Sequence, residues 1–236
     1  ALGSLSSQAQ VDEIKESSEK NARDGRMDNS DNSSGGGSVI SDLLLFLPHW
    51  QRYKLQNDRN RYPSMVSLDA YLTAGYKPSD TYLLWPRIRA NWGLFSSDFR
   101  MNYLIEKDDL GGFKHIRTND WQVIQINIIT SRFITFRAGT GVMQEMFGSH
   151  QRFSETSFMF GIHAPDQSEM FFVEYRFSKD WDTGVNPRNE FSAQYHHQIF
   201  QTGILHGYVT AGAVYQNYYG TTEFWGVQAG LVVRIF

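Results

Sequence analysis

Residues 65–77 of the chain read MVSLDAYLTAGYK, and their alternation decides the fold. Val66, Leu68, Ala70, Leu72, Ala74 and Tyr76 fall on one side of an extended chain, with Ser67, Asp69, Thr73 and Lys77 on the other. Successive side chains of a β-strand point to opposite faces, so this period of two reads as a strand with one apolar face. The pattern recurs almost to the end of the chain. Ile88, Ala90, Trp92 and Leu94 oppose Arg87, Arg89, Asn91 and Gly93; Phe99, Met101, Tyr103 and Ile105 oppose Asp98, Arg100, Asn102 and Glu106. Ile124, Ile126 and Ile128 then oppose Gln125 and Asn127, and Ile134, Phe136, Ala138 and Val142 oppose Thr135, Arg137, Gly139, Gly141 and Glu145. Further segments run at about 153–162, 168–178, 189–200, 203–217 and 221–236. In the seventh, Phe171, Val173, Tyr175 and Phe177 share a face against Phe172, Glu174 and Arg176; in the last, Trp225, Val227, Ala229, Leu231, Val233 and Ile235 align.

These segments are longer than the roughly 5–6 residues of soluble strands and match the roughly 9–11 that a tilted strand needs to cross hydrocarbon. The reading is an all-β protein, an antiparallel transmembrane β-barrel of about ten strands. An even number returns both chain ends to one side, as bacterial barrels require. The rival is a soluble sandwich or calycin-like barrel, which alternates equally but turns its apolar face inward. Hydropathy is silent: no run approaches the roughly 20 apolar residues of a spanning helix, and the longest, Leu43 to Leu47, stops at Pro48. Turns are expected at Pro78-Ser79-Asp80, Ser96-Ser97 and Thr130-Ser131, with a long polar external loop from Glu106 to Asn119. Tyr71, Tyr82, Trp85, Trp121, Trp181, Tyr218, Tyr219 and Trp225 lie near segment ends, where they could form interfacial girdles.

Three regions follow. Residues 1–38 are a polar extension, too poor in apolar side chains to bury a core and expected to be disordered or, at 11–24, a short helix. Residues 39–64, with Val39 to Trp50, suit a short helix or a plug at one mouth, and 65–236 form the barrel. Ser7-Gln8-Ala9 resembles the small-residue end of a secretory signal, without the charged and apolar regions that precede one.

Composition removes several functions. A net charge of -3 offers no excess of cations to neutralise a phosphate backbone, so nucleic acid is not an expected partner. With no cysteine there is neither a disulfide framework nor a thiolate metal site. Nothing in the chain calls for a cofactor. If the apolar faces meet lipid, Arg87, Arg89, Arg100, Glu106, Arg137, Glu145, Glu155, Glu174 and Arg176 point into a narrow lumen and must pair there as a charge network.

Catalysis has weak support. His196 and His206 share the inward register with Glu190 and Ser192 nearby, a possible Ser/His/Glu group for a lipid- or peptide-modifying hydrolase. His196 and His197 point to opposite faces and cannot chelate one metal together, and His163 with Asp166 and Glu169 is a faint metal hint. Glycines 139, 141, 207, 212, 226 and 230 lie inside strands, leaving room for bulky neighbours and curvature or making a smooth partner groove. Gly148 reads as a turn residue.

Phe236 ends the chain, and a C-terminal aromatic resembles the assembly signal of bacterial outer-membrane barrels. The match is partial: Arg234 and Gln228 fall on the register of Phe236, where that family has apolar residues. The stretch from Pro86 through Arg100, with Asp120-Trp121-Gln122, resembles uncharacterised outer-membrane β-barrels of the Bacteroidetes over most of 60–236. The resemblance implies Sec export, an outer-membrane home and a place as accessory subunit of a larger assembly or secretion complex. The expectation is therefore a non-enzymatic scaffold surrounded by outer-membrane lipid and other outer-membrane proteins, with a hydrolase or a narrow channel as alternatives.

Overall fold

The computed structural model describes residues 10–25, 52, 66–77, 81–107 and 112–236. A helix, α1 (Gln10–Gly25), precedes ten strands: β1 (Val66–Lys77), β2 (Thr81–Trp92), β3 (Phe95–Lys107), β4 (Phe113–Thr130), β5 (Ile134–Glu145), β6 (Arg152–His163), β7 (Glu169–Lys179), β8 (Arg188–Thr202), β9 (Leu205–Tyr218) and β10 (Thr222–Ile235). Each strand pairs antiparallel with its sequence neighbours, and β1 pairs with β10 from Leu68↔Ile235 to Tyr76↔Val227. The barrel is closed, so no strand edge is left to recruit another chain.

The two faces of every strand separate as the alternation dictates. Leu68, Leu72, Ile88, Ile162, Val227 and Leu231 are exposed on the outside, while Asp69, Arg89, Asp98, Asp120, Glu155 and Arg176 are at most 3% exposed within. A soluble calycin-like barrel would show these faces reversed. The outside is apolar and the centre is ionic.

One mouth carries the start of β1 and the end of β10; we call it the terminal mouth. Tight connections at 93–94, 131–133, 164–168 and 203–204 lie there too. Gly93 and Gly203 adopt positive φ (72° and 57°), which glycine tolerates in reversals this short. The opposite mouth carries the connections at 146–151, 180–187 and 219–221, with Gly148 in the first at φ 54°. Inside the sheet, a Cβ added at Gly212 would stand 2.0 Å from the Ala193 carbonyl oxygen, and one at Gly141 2.0 Å from that of Trp121. Both glycines permit close approach of neighbouring backbones, the curvature explanation rather than the groove.

Three expectations are corrected. The β2–β3 reversal is at Gly93-Leu94, and Ser96-Ser97 belong to β3, where Ser96 bonds Gln125 and Asn127 inside. The excursion expected from Glu106 to Asn119 is largely strand: β4 starts at Phe113, and Lys114 to Asn119 pair with Glu106 to Met101. Of its polar residues, Thr118 faces the lumen, and His115, Arg117 and Asn119 stand opposite Ile105, Tyr103 and Met101. The alternation of β4 also breaks where Val123 and Ile124 both face outward, at a register shift between Trp121 and Ile124; such a bulge inserts a residue and sharpens the bend. Finally, Tyr71, Trp85 and Tyr218 are buried in the lumen and Tyr219 is partly buried, so the exposed aromatics of that group are Tyr82, Trp121, Trp181 and Trp225. The Pro78-Ser79-Asp80 turn, residues 39–50 and the signal-like Ser7-Gln8-Ala9 lie outside the described residues.

Candidate functional site

The inward positions of ten strands converge on one filled lumen. At its centre Arg87 is forked between Asp98 and Glu174, with Nη1 2.7 Å from Glu174. Asp98 also accepts from Arg89 (3.0 Å) and Arg176 (2.8 Å), and Arg176 reaches Glu174 at 2.8 Å. One layer further, Arg100 bridges Asp120 (2.7 Å) and Glu190 (2.5 Å), and Arg188 bridges Asp120 (2.7 Å) and Glu155 (2.9 Å). Arg87, Arg89, Arg100, Arg176 and Arg188 thus face Asp98, Asp120, Glu155, Glu174 and Glu190, a charge-balanced set tying opposite walls together. Removing two ions from water is costly, and that cost is offset only where each lone pair and N–H finds a partner. Bidentate guanidinium forks meet the requirement.

Of the sequence-predicted network, Arg87, Arg89, Arg100, Glu155, Glu174 and Arg176 meet in this set. Arg137 is buried but makes none of these pairs. Glu106 and Glu145 lie apart, at the mouth opposite the terminal mouth, under α1.

That helix presents Val11, Ile14, Ser18 and Asn21, spaced i, i+3, i+7 and i+10, and all four are buried. Val11 and Ile14 enter a cup of Leu83, Trp85, Leu104, Ile116, Phe147, Val214, Tyr218 and Phe224. The Val11 N–H donates to Glu106 Oε2 at 3.0 Å, so a barrel carboxylate satisfies one orphan amide of the helix N-terminus and complements its dipole. Ser18 Oγ and the Tyr219 hydroxyl both donate to Glu145, Asn21 Nδ2 donates to Asp180 (2.7 Å), and Lys114 pairs with Asp12 (2.6 Å). Burial, then the neighbouring Glu145 charge, hold the Tyr219 phenol well above its ordinary pKa and keep it a donor. A free helix of this length is marginal in water, so docking holds it. α1 occupies this mouth, whereas the plug expected from 39–64 falls, Arg52 apart, outside the described residues.

Nothing assembles the hydrolase group. Glu190 is engaged by Arg100 and Gln216, and His196 Nε2 lies 3.3 Å from Gln194 Oε1. Ser192 and His196 are four residues apart on β8, which separates their Cα atoms by about 13 Å. His206 lies against Phe236, ring centroids 4.6 Å apart. Of the metal hint, His163 Nε2 meets the Thr135 hydroxyl, Asp166 accepts from Ser168, and Glu169 stands 3.9 Å from His197. No group of three or more potential metal ligands occurs among the described residues. Interior spaces bordering Tyr71, Arg87, Glu174 and Gln194 are small, with room for about one water each.

Phe236 follows β10 with its N–H on the Ile204 carbonyl (3.1 Å) and its ring near the Arg234 guanidinium. Sequence reasoning missed Asp120 and Arg188 as network members, placed Glu190 only in the hydrolase group, left Asp98 merely on a polar face, and did not foresee the separate Arg234–Asp69 pair at 2.8 Å. Asp120 sat beside the misjudged loop, Arg188 fell just before its expected strand, and Arg234 offered a signal in its inward register. No known family model matches the chain, and no curated protein sequence matches it.

Proposed function

We propose that this chain is a non-enzymatic, integral barrel of a bacterial outer membrane, surrounded by lipid and serving as a scaffold or accessory subunit of an outer-membrane assembly or secretion complex. One observation carries the reading: the apolar faces look outward on all ten strands while the ion pairs are enclosed. In water, that outside would be an apolar surface far larger than the few hundred Å² usual on monomers. Twelve residues of strand, as in β1, tilted near 40°, give a height of about 30 Å, the thickness of bilayer hydrocarbon. Lumen ion pairs and a capped mouth leave no wide path for a solute, which favours a scaffold over a channel.

The resemblance to Bacteroidetes outer-membrane barrels supports the same compartment and the accessory role. The test is fractionation of producing cells, heat-modifiable gel migration, and copurification of the native protein under mild detergent. Membrane recovery, a faster unheated band and a stable hetero-complex are expected. A monodisperse protein in surfactant-free buffer would overturn the compartment, and recovery of a lone monomer from mild detergent would overturn the accessory role.

A further inference from the structure

The outward face of β4 changes character along its length. Trp121 is exposed among the apolar side chains of the exterior, but Arg117, His115 and Phe113 follow on the same face toward the mouth that α1 caps. Opposite them on β3 stand Tyr103, Ile105 and Lys107. The connection after β5 closes the other side, because the Met146 N–H donates to the Arg117 carbonyl at 2.9 Å. With Lys15 of α1 and Lys114 these residues border an open cleft of about 740 Å³, within the roughly 300–1,000 Å³ of small-ligand sites.

The charge in this cleft is one-sided. Lys15, Lys114, His115 and Arg117 line it, and no carboxylate does among the described residues. Asp12 engages Lys114 at 2.6 Å, while Glu13, Glu16 and Glu19 are exposed on α1 outside the lining. Neither Arg117 nor Lys15 makes an ion pair among the described residues. The Arg117 guanidinium stands over the Tyr103 ring, 5.9 Å from its centroid, and Nε is buried without a hydrogen-bond partner. Stacking on a ring fixes a guanidinium and leaves its N–H edge for an anion. The rest of the wall is oily, made by Tyr103, Phe113, Met146 and Phe147, and Phe113 is exposed.

An inorganic anion would leave those rings uncovered, and a hydrocarbon chain would leave the cations unpaired. A molecule that satisfies both carries a phosphate at one end and hydrocarbon at the other. We propose that this cleft binds an anionic, phosphate-bearing lipid, an inference that rests on the membrane reading above. Arg117 and Lys15 pair with the phosphate, and Phe113 covers the headgroup. The acyl chains pass Tyr103 to lie along Phe99 and Trp121, which are paired and exposed on the apolar exterior. A guanidinium matches two phosphate oxygens at once, and basic pockets beside membrane-spanning elements take anionic headgroups by the same chemistry.

The experiment is native mass spectrometry of the full chain in detergent, titrated with phosphatidylglycerol, phosphatidylcholine or inorganic phosphate. Phosphatidylcholine carries the same phosphate beside a compensating cation, so phosphatidylglycerol is expected to bind about tenfold more tightly. Millimolar inorganic phosphate should not displace it. Arg117→Gln with His115→Gln removes the preference; Lys15→Gln, on α1, weakens it several-fold and serves if the double variant fails to fold. Arg132→Gln, which alters an exposed arginine at the terminal mouth, leaves it unchanged. Equal affinity for the two lipids, displacement by inorganic phosphate, or the same loss in Arg132→Gln as in the double variant overturns the site. A protein recovered from membranes with heat-modifiable migration but without lipid preference overturns this proposal alone, whereas a chain monodisperse in surfactant-free buffer overturns the membrane reading with it.

Discussion

Replacing Asp98 by Asn removes one negative charge from the centre of the barrel with almost no change of shape. Asp98 is 1% exposed and takes hydrogen bonds from Arg87, Arg89 and Arg176. After the change, the five arginines of the central set face four carboxylates. Arg89 keeps only Glu174 at 3.8 Å, Arg87 must share that carboxylate, and Arg176 retains Glu174 and, at 3.9 Å, Glu155. Breaking a buried pair by deleting one partner costs about 3–5 kcal/mol, because an uncompensated buried charge remains. We expect Asp98→Asn to lower stability by that amount, against less than about 0.5 kcal/mol for Asp166→Asn on an exposed connection. The assay is urea unfolding of the full chain in lipid vesicles, followed by tryptophan fluorescence and by loss of heat-modifiable migration. Adding Arg89→Met removes the stranded charge and should recover about half the loss or more. A change within about 1 kcal/mol of the unaltered protein for Asp98→Asn would refute the reasoning, since the network would then be an ornament of a lumen held by its backbone.

Other expectations follow from the same geometry. Val11→Asp with Ile14→Asp forfeits roughly 1.5–3 kcal/mol of apolar burial per position, so limited proteolysis should cut within α1 of the variant while the barrel stays resistant; equal protection of both proteins would contradict the docking. Gly212→Ala forces the Ala193 carbonyl aside and should cost about 1–3 kcal/mol in the same unfolding assay, with no loss counting against close strand approach. The chain has no native cysteine, so Lys20→Cys and Thr202→Cys give single labels at opposite mouths; an impermeant thiol reagent should reach them from opposite sides of a sealed vesicle, and labelling from one side contradicts a spanning barrel. Ser192→Ala and His196→Gln should leave the lipid profile of producing cells unchanged, a shifted profile favouring the hydrolase.

Much of the barrel is legible in the chain because strand periodicity is local. Leu68 and Asp69 need only successive positions in an extended backbone to face opposite ways, so strand segments and paired faces can be read residue by residue. Turn placement is less legible. Ser96-Ser97 has the composition of a turn, but Gly93 supplies the positive φ, and the polar residues from Lys114 to Asn119 pair as strand with Glu106 to Met101.

The sequence by itself determined that ten alternating segments exist and which residues share a face, because both follow from the two-residue repeat. Only the tertiary structure decided which face looks outward, that Arg188 and Asp120 join the ion pairs, that Arg137 stays outside them, and that α1 caps the mouth away from the start of β1 and the end of β10. Those outcomes depend on closing β1 against β10 and on side chains meeting across the lumen, as Arg87 and Glu174 do from β2 and β7. Contacts between residues that far apart in the chain leave no mark in any local pattern.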